Sequence, residues 1–368
     1  MLLRRHTCRL FGTAIKYNAS GAPTNVLKHE NLGALAKISA NEVSIKILAA
    51  PINPSDLNMV EGVYGVAPKL PAVGGNEGVA MVTEVGSNIK GLAVGDWVIP
   101  YRSGYGTWRT DATAKEDELV KIANDIPAAY AATLSVNPAT AHRLLTDFEN
   151  LKPGDVIMQN GANSMVGLCV VQMAREKGIK TINIVRSDRP DAEKMTRLLA
   201  NLGGDINILD TQVNTSVMKE IMQDLSPCRL ALNCVGGETT TEMLRSLAVG
   251  GTLVTYGGMS KRPINVPADL MAYKQLKLKG FWMAAWYEKN GLAAKTSMIA
   301  DLVTMVRDKK LTLFHELHDF DDFDHALRKS QEPFRLRKVV LNMDHPDRFK
   351  EHDTKTDNDY GIFDTYVM

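Results

Sequence analysis

The sequence predicts an α/β protein: a compact β-rich domain followed by a doubly wound parallel sheet of six strands. Three observations point there. Up to about residue 127, short β-like runs are broken by Gly, Asn and Pro. From about residue 128, strand candidates alternate with helical patterns. The strands of this second part are near-continuous apolar runs, as expected of a parallel sheet covered on both faces.

The first part contains the β-like runs EVSIKILAA, GVAMVTEV and DWVIPY. TAHRLLTDF then reads as a helix. Six strand candidates follow: 155–161, 181–186, 206–210, 230–236, 251–258 and 276–283. Helical patterns such as VGLCVVQMAREKG and EKMTRLLANLG lie between them. MIADLVTMVRDKK reads as a further helix and RKVVLNM as a strand that returns to the first domain. The expected divisions are 14–133, 134–305 and 306–343, the last belonging to the first domain again.

With 368 residues the chain is long enough for two domains with sizeable cores. It is 45% hydrophobic and 23% charged, an ordinary globular balance. A net charge of +1 offers no global attraction to nucleic acid or an anionic membrane. No apolar run is long enough to span a bilayer. The four cysteines, Cys8, Cys169, Cys228 and Cys234, are scattered, which argues against a disulfide framework or a structural zinc cluster. The start of the chain carries Arg4, Arg5 and Arg9 and no acid before Glu30, the composition of a mitochondrial transit peptide, here assigned to 1–13. Residues 344–368 are polar and aperiodic and read as a mobile extension.

DVIMQNGANSMVGLCVVQMA is a strand, a small-residue turn and a helix. A helix N-terminus presents N–H groups and a positive dipole to a pyrophosphate. Gly161 and Gly167 permit the turn and close helix packing, but the middle glycine of the usual fingerprint is missing from Gly161-Ala162-Asn163-Ser164-Met165-Val166-Gly167. Ser164 retains a hydroxyl to offer to phosphate. The second strand ends in VRSDRPD, where NAD enzymes commonly place an acid for the ribose 2′-hydroxyl. Arg186 and Arg189 stand there instead and suit a 2′-phosphate by charge and geometry, which favours NADPH. Asp188 is the dissenting residue.

The order of Asn53-Pro54-Ser55-Asp56, Gly74-Gly75-Asn76-Glu77-Gly78, Gly95-Asp96-Trp97-Val98 and the strand series resembles the medium-chain dehydrogenase/reductase superfamily over about residues 15–343. Within it, GVYGVAPKLPAVGGNEGV, LSVNPATAHRLL, QNGANSMVG, VRSDRPD, TYGGMS and GFWMAAW resemble the mitochondrial trans-2-enoyl thioester reductases. That resemblance implies a GroES-like catalytic domain, a Rossmann domain for NADPH, and a homodimer paired through the last strands of the nucleotide domain. It implies cofactor contacts at Asn137, Asn163, Ser164, Met165, Val166, Arg186, Arg189, Tyr256, Gly257, Gly258, Met259, Phe281, Trp282, Met283 and Lys338. VRSDRPD is one residue longer than the usual family turn, leaving Ser187 and Asp188 as alternatives for the ribose-facing position. The family's proton-donor tyrosine falls on Tyr64.

The implied reaction reduces a trans-2-enoyl thioester, carried on acyl carrier protein or CoA, to the saturated thioester. A phenol is ordinarily protonated near neutral pH, so Tyr64 suits proton donation or support of an enolate oxygen. Asn53 is a second polar candidate there, with loop capping as the alternative. The GGNEG loop carries no histidine and the preceding stretch no cysteine beyond Cys8, so no metal is expected. His315 and His318 in FHELH are one residue short of an HExxH pair and read as surface histidines. Trp282 and Trp286 are candidates for an acyl channel, with core or interface packing the alternative for Trp282. Lys261, Arg262 and Lys289 are candidates for a basic rim facing an acidic carrier protein.

Overall fold

The computed structural model describes residues 12–33 and 37–343. The transit-peptide and C-terminal-extension assignments fall outside these residues, apart from Gly12 and Thr13, which open the first strand. The chain divides into two compact units.

The first unit takes in residues 12–134, 287–303 and 315–343. A three-stranded sheet has the order β2 (Lys28–Gly33), β1 (Gly12–Tyr17), β4 (Ala72–Val73). A second sheet runs β15 (His315–Asp319), β16 (Lys338–Asn342), β3 (Glu42–Pro51), β5 (Val79–Val85), β6 (Trp97–Pro100), β8 (Leu119–Ile122), with β7 (Asp111–Lys115) also paired to β3. Alternating apolar residues such as Val43, Ile45 and Ile47 on β3 face one core with Val82, Val98, Leu341 and Trp108. Trp108 is fully buried and its indole N–H donates to Pro51 O at 3.0 Å. It also explains two glycines of GGNEG. A Cβ on Gly74 would lie 2.3 Å from the Trp108 ring, and one on Gly75 2.4 Å from the Thr107 hydroxyl. These glycines make room for a core tryptophan.

The second unit takes in residues 135–286 and 304–314. All six expected strands form: β9 (Val156–Asn160), β10 (Lys180–Val185), β11 (Ile206–Leu209), β12 (Leu230–Asn233), β13 (Thr252–Thr255) and β14 (Lys277–Gly280). They pair in parallel in the order β11-β10-β9-β12-β13-β14, the doubly wound order with its switch point between β9 and β12.

The unit boundaries differ from the sequence divisions across residues 287–314. The helix Met283–Arg307 breaks at Gly291, whose φ is 82°. Residues 287–303 belong with the β-rich unit because Lys295 donates to Pro100 O (2.8 Å) and Tyr101 O (3.0 Å). Residues 304–314 belong with the parallel sheet, where the Gln172 amide takes the Thr312 N–H (2.8 Å) and donates to Thr312 O (3.0 Å).

Candidate active site

In the second unit the helix Met165–Glu176 begins directly after the β9 turn. Ser164 is its N-cap, and its hydroxyl accepts from Gly167 N at 3.1 Å. Gly161 adopts φ 58°, and a Cβ there would lie 2.6 Å from Cys234 Sγ. A Cβ on Gly167 would lie 2.4 Å from Ala162 O. Both glycines are therefore required sterically, while the absent middle glycine is not needed for the turn to form. Asn163 and Ser164 remain half-exposed, whereas Met165 and Val166 are buried at 8% exposure.

The loop after β13 runs beside the loop after β12. Tyr256 N donates to Asn233 O (2.9 Å), Met259 N to Cys234 O (2.9 Å) and Ser260 N to Val235 O (3.0 Å). Tyr256 is drawn toward Ser164 and Cys234, and its hydroxyl is buried without a regularly shaped hydrogen bond. Burial, then the neighbouring Cys234, pushes its pKa well above the ordinary phenol value, so it stays protonated. Asn137 Oδ1 is likewise buried without a partner. Gly258 faces open space, and Met259 is exposed. An N-terminal helix turn, two orphaned polar atoms and an open glycine loop form a cradle suited to a dinucleotide.

The two arginines after β10 part company. Arg186 is half-exposed and pairs loosely with Asp188 (3.5 Å). Arg189 is buried, and its guanidinium grips Asp191 through Nε (2.6 Å) and Nη2 (2.9 Å). Arg189 braces the turn, its fork already meeting a carboxylate. Ser187 N donates to Asp210 Oδ1 at 2.9 Å, which turns that residue's backbone toward β11.

Phe281 stacks edge-on against Phe148 at 5.8 Å, Met283 is buried, and Trp282 is exposed. Trp286 is held by Arg143 over its ring (4.9 Å) and donates to Asp147 Oδ2 (2.9 Å). It is tied into a polar pair, not left as a bare apolar wall. Lys261, Arg262 and Lys289 are exposed.

In the first unit Tyr64 is half-exposed and follows the helix Pro54–Glu61, which ends in left-handed Gly62 with φ 79°. Asn53 is the N-cap of that helix and 2% exposed. Its amide donates to Glu77 Oε1 (2.8 Å), its Oδ1 accepts from Lys338 Nζ (2.7 Å), and its N–H donates to Asp56 Oδ2 (2.7 Å). Asp56 also accepts from the backbone (2.9 Å) and amide (2.6 Å) of Asn76. Asn53 is therefore both the cap of this helix and a buried link in a polar cluster. Burial raises the Asp56 pKa to about 6 against the pull of these donors.

The histidines are not surface residues. His315 meets the Thr133 hydroxyl at 3.0 Å and the Tyr130 ring edge-on at 5.1 Å. Burial, then the Lys338 charge, lowers its pKa to about 3, so it is neutral. The His318 side chain is 10% exposed and meets Glu316 at 3.1 Å.

Comparison with known proteins places this geometry. Residues 39–125 match the alcohol dehydrogenase GroES-like domain and residues 166–297 the zinc-binding dehydrogenase family. The chain is 47% identical over 346 residues to the mitochondrial enoyl-acyl-carrier-protein reductase of Xenopus tropicalis, covering 93% of this chain and 98% of the relative. It belongs to the mitochondrial enoyl-acyl-carrier-protein reductase family. The human member is 47% identical over 331 residues, covering 90% of this chain and 88% of that relative. Among solved structures, the Etr1p/NADP/crotonyl-CoA complex is 33% identical with a TM-score of 0.82, covering 90% of this chain and 99% of that one. The Etr1p/Etr2p heterodimer of Candida tropicalis, described as a mitochondrial 2-enoyl thioester reductase, is similar to the same degree.

One matched family description includes zinc, and the donor set of the described residues does not suit that metal. Among the described residues, no group of three or more His, Cys, Asp or Glu side chains is arranged to hold an ion. In the GGNEG loop, Asn76 and Glu77 are committed to Asp56 and Asn53, with the Lys338 ammonium already attached to the cluster. Sequence reasoning did not find Asp56, Glu77 and Lys295 as buried polar residues. It also read the strands of the second unit as apolar and passed over Gln159, Asn160, Asn183 and Asn233, all buried. An Asn or Gln standing inside an otherwise apolar strand was the available signal.

Proposed function

We propose that this chain is an NADPH-dependent reductase of trans-2-enoyl thioesters, acting in mitochondrial fatty acid synthesis. The observation that carries this is the 47% identity to a mitochondrial enoyl-acyl-carrier-protein reductase along 98% of that protein's length. The likeness to a solved complex with NADP and crotonyl-CoA supports the same cofactor and substrate class.

NADPH, when bound, supplies the hydride that reaches the β-carbon of the enoyl group. The residues fit it: the Ser164 turn would hold the pyrophosphate, Arg186 the 2′-phosphate, and the buried Asn137 and Tyr256 polar atoms would offer further hydrogen bonds. Tyr64 acts on the substrate, giving its phenolic proton toward the α-carbon or holding the enolate oxygen by hydrogen bond. Gly62 ends the preceding helix in a conformation a side chain adopts poorly, so the chain turns sharply just before Tyr64.

The proposed assembly is a homodimer joined through β14. This strand is an edge of the six-stranded sheet and is exposed at all four positions, with Leu278 at 42% and the following Trp282 at 39%. The free edge of this strand presents backbone N–H and C=O groups with which a second copy can pair.

The test is Tyr64→Phe, assayed by NADPH oxidation with crotonyl-CoA. We expect kcat to fall by about 100-fold or more, with the KM for NADPH little changed. A near-normal rate would remove Tyr64 from the mechanism.

A further inference from the structure

We propose that Asn160, Asn233 and Thr255 form a polar rung that sets the spacing of the three cofactor loops, each acting as a positioning residue. The proposal rests on reading the second unit as the NADPH-binding unit.

Each of the three ends its strand: Asn160 ends β9, Asn233 ends β12 and Thr255 ends β13. The next residues are Gly161, Cys234 and Tyr256, so every cradle loop leaves from a rung residue. β9 and β12 flank the switch point, where a doubly wound sheet opens its ligand crevice. Across it, Asn160 Nδ2 donates to Asn233 Oδ1 at 2.7 Å, and Asn233 Nδ2 donates onward to Thr255 Oγ1 at 3.1 Å.

The rung also holds the loops themselves. Asn160 Oδ1 accepts from Cys234 N at 2.8 Å. Asn233 Oδ1 accepts from Val235 N (3.2 Å), Gly236 N (3.0 Å) and the Thr240 hydroxyl (2.9 Å). The β13 loop hangs by its N–H groups from carbonyls 233–235, so a displaced β12 loop carries Tyr256 and Met259 with it. Cys234 Sγ in turn lies against Gly161, leaving that loop no slack. Asn160 and Asn233 are almost completely buried, and an apolar replacement would orphan several loop N–H groups at once.

A second amide ladder supplies the control. Gln159 donates to Asn183 (2.8 Å), and Asn183 donates to Asn207 (3.0 Å), tying β9, β10 and β11 together. Asn183 is equally buried but lies inside β10, away from the three loops.

The experiment is fluorescence titration of full-length protein with NADPH, beside steady-state kinetics and thermal melts, for Asn233→Ala, Thr255→Val and Asn183→Ala. We expect Kd to rise about tenfold in Asn233→Ala and about threefold in Thr255→Val. The KM for NADPH should follow Kd, with kcat falling less than threefold. Asn183→Ala should lower Tm and leave Kd within twofold of wild type. Thr255 is half-exposed, so its isosteric replacement keeps the test open if Asn233→Ala does not fold. Wild-type Kd in both rung variants, or an equal rise in Asn183→Ala, overturns the rung alone. A wild-type protein that fails to bind NADPH overturns the rung together with the reading beneath it.

Discussion

In the β-rich unit the carboxylates of Asp56 and Glu77 are 2% and 1% exposed, and they share amides with Asn53 and Asn76 and the ammonium of Lys338. Lys295 is buried in the same unit at 2%. In the parallel-sheet unit the buried strand residues Gln159, Asn160, Asn183 and Asn233 make comparable networks from neutral amides and threonine hydroxyls. The two solutions differ in what they cost and in what disturbs them. A buried ion depends on its partners and on pH. A buried amide depends only on hydrogen-bond geometry. The unit assigned to proton handling thus carries carboxylates and an ammonium in its buried polar cluster. The unit assigned to the cofactor is stitched by groups that do not titrate.

The largest expected effect comes from removing an ion. Glu77→Ala takes the carboxylate from the Asn53 amide and from buried Lys295, and is expected to cost about 3–5 kcal/mol in denaturant unfolding. Asn183→Ala should cost only about 1–3 kcal/mol. Equal losses would erase the contrast between the units.

Next is the pH dependence. Burial lowers the Lys295 pKa from 10.5 to about 7, opposed by the Glu77 charge. The unfolded chain therefore binds the proton more tightly than the fold, so this stability is present above pH ~10.5 and is lost as pH falls through ~7. Wild type should gain about 2 kcal/mol relative to Lys295→Met between pH 7 and pH 9. Parallel pH profiles for the two proteins would show that Lys295 does not titrate in the fold.

The smallest effect concerns the exposed cation of the second unit. Arg186→Ala should weaken NADPH about tenfold, roughly 1.4 kcal/mol, and leave NADH nearly unchanged. Equal losses for both cofactors would move the 2′-phosphate contact elsewhere.

Much of the fold is legible along the chain. The six strands of the second unit form at the runs marked along the chain, with β14 (KLKG) exposed rather than apolar, and the β9 turn and its helix appear as one continuous motif. The site is legible in pieces. Arg186 and Arg189 look equivalent in VRSDRPD, and only the bidentate grip of Asp191 separates them. FHELH looks like exposed sequence, yet β15 carries His315 against Thr133.

The sequence by itself determined the strand and helix order, the left-handed turn at Gly161, the close approach of Gly167 to Ala162, and the tyrosine set after a helix-ending glycine. These are properties of neighbouring residues, set by periodicity, sterics and backbone conformation. The tertiary structure alone decided which polar groups are sealed inside and what holds them. Asn53 meets Glu77 across 24 positions and Lys338 across 285, and Asn160 meets Asn233 across 73. Burial and hydrogen-bond partnership at such separations exist only once the sheets have closed, and no local pattern encodes them.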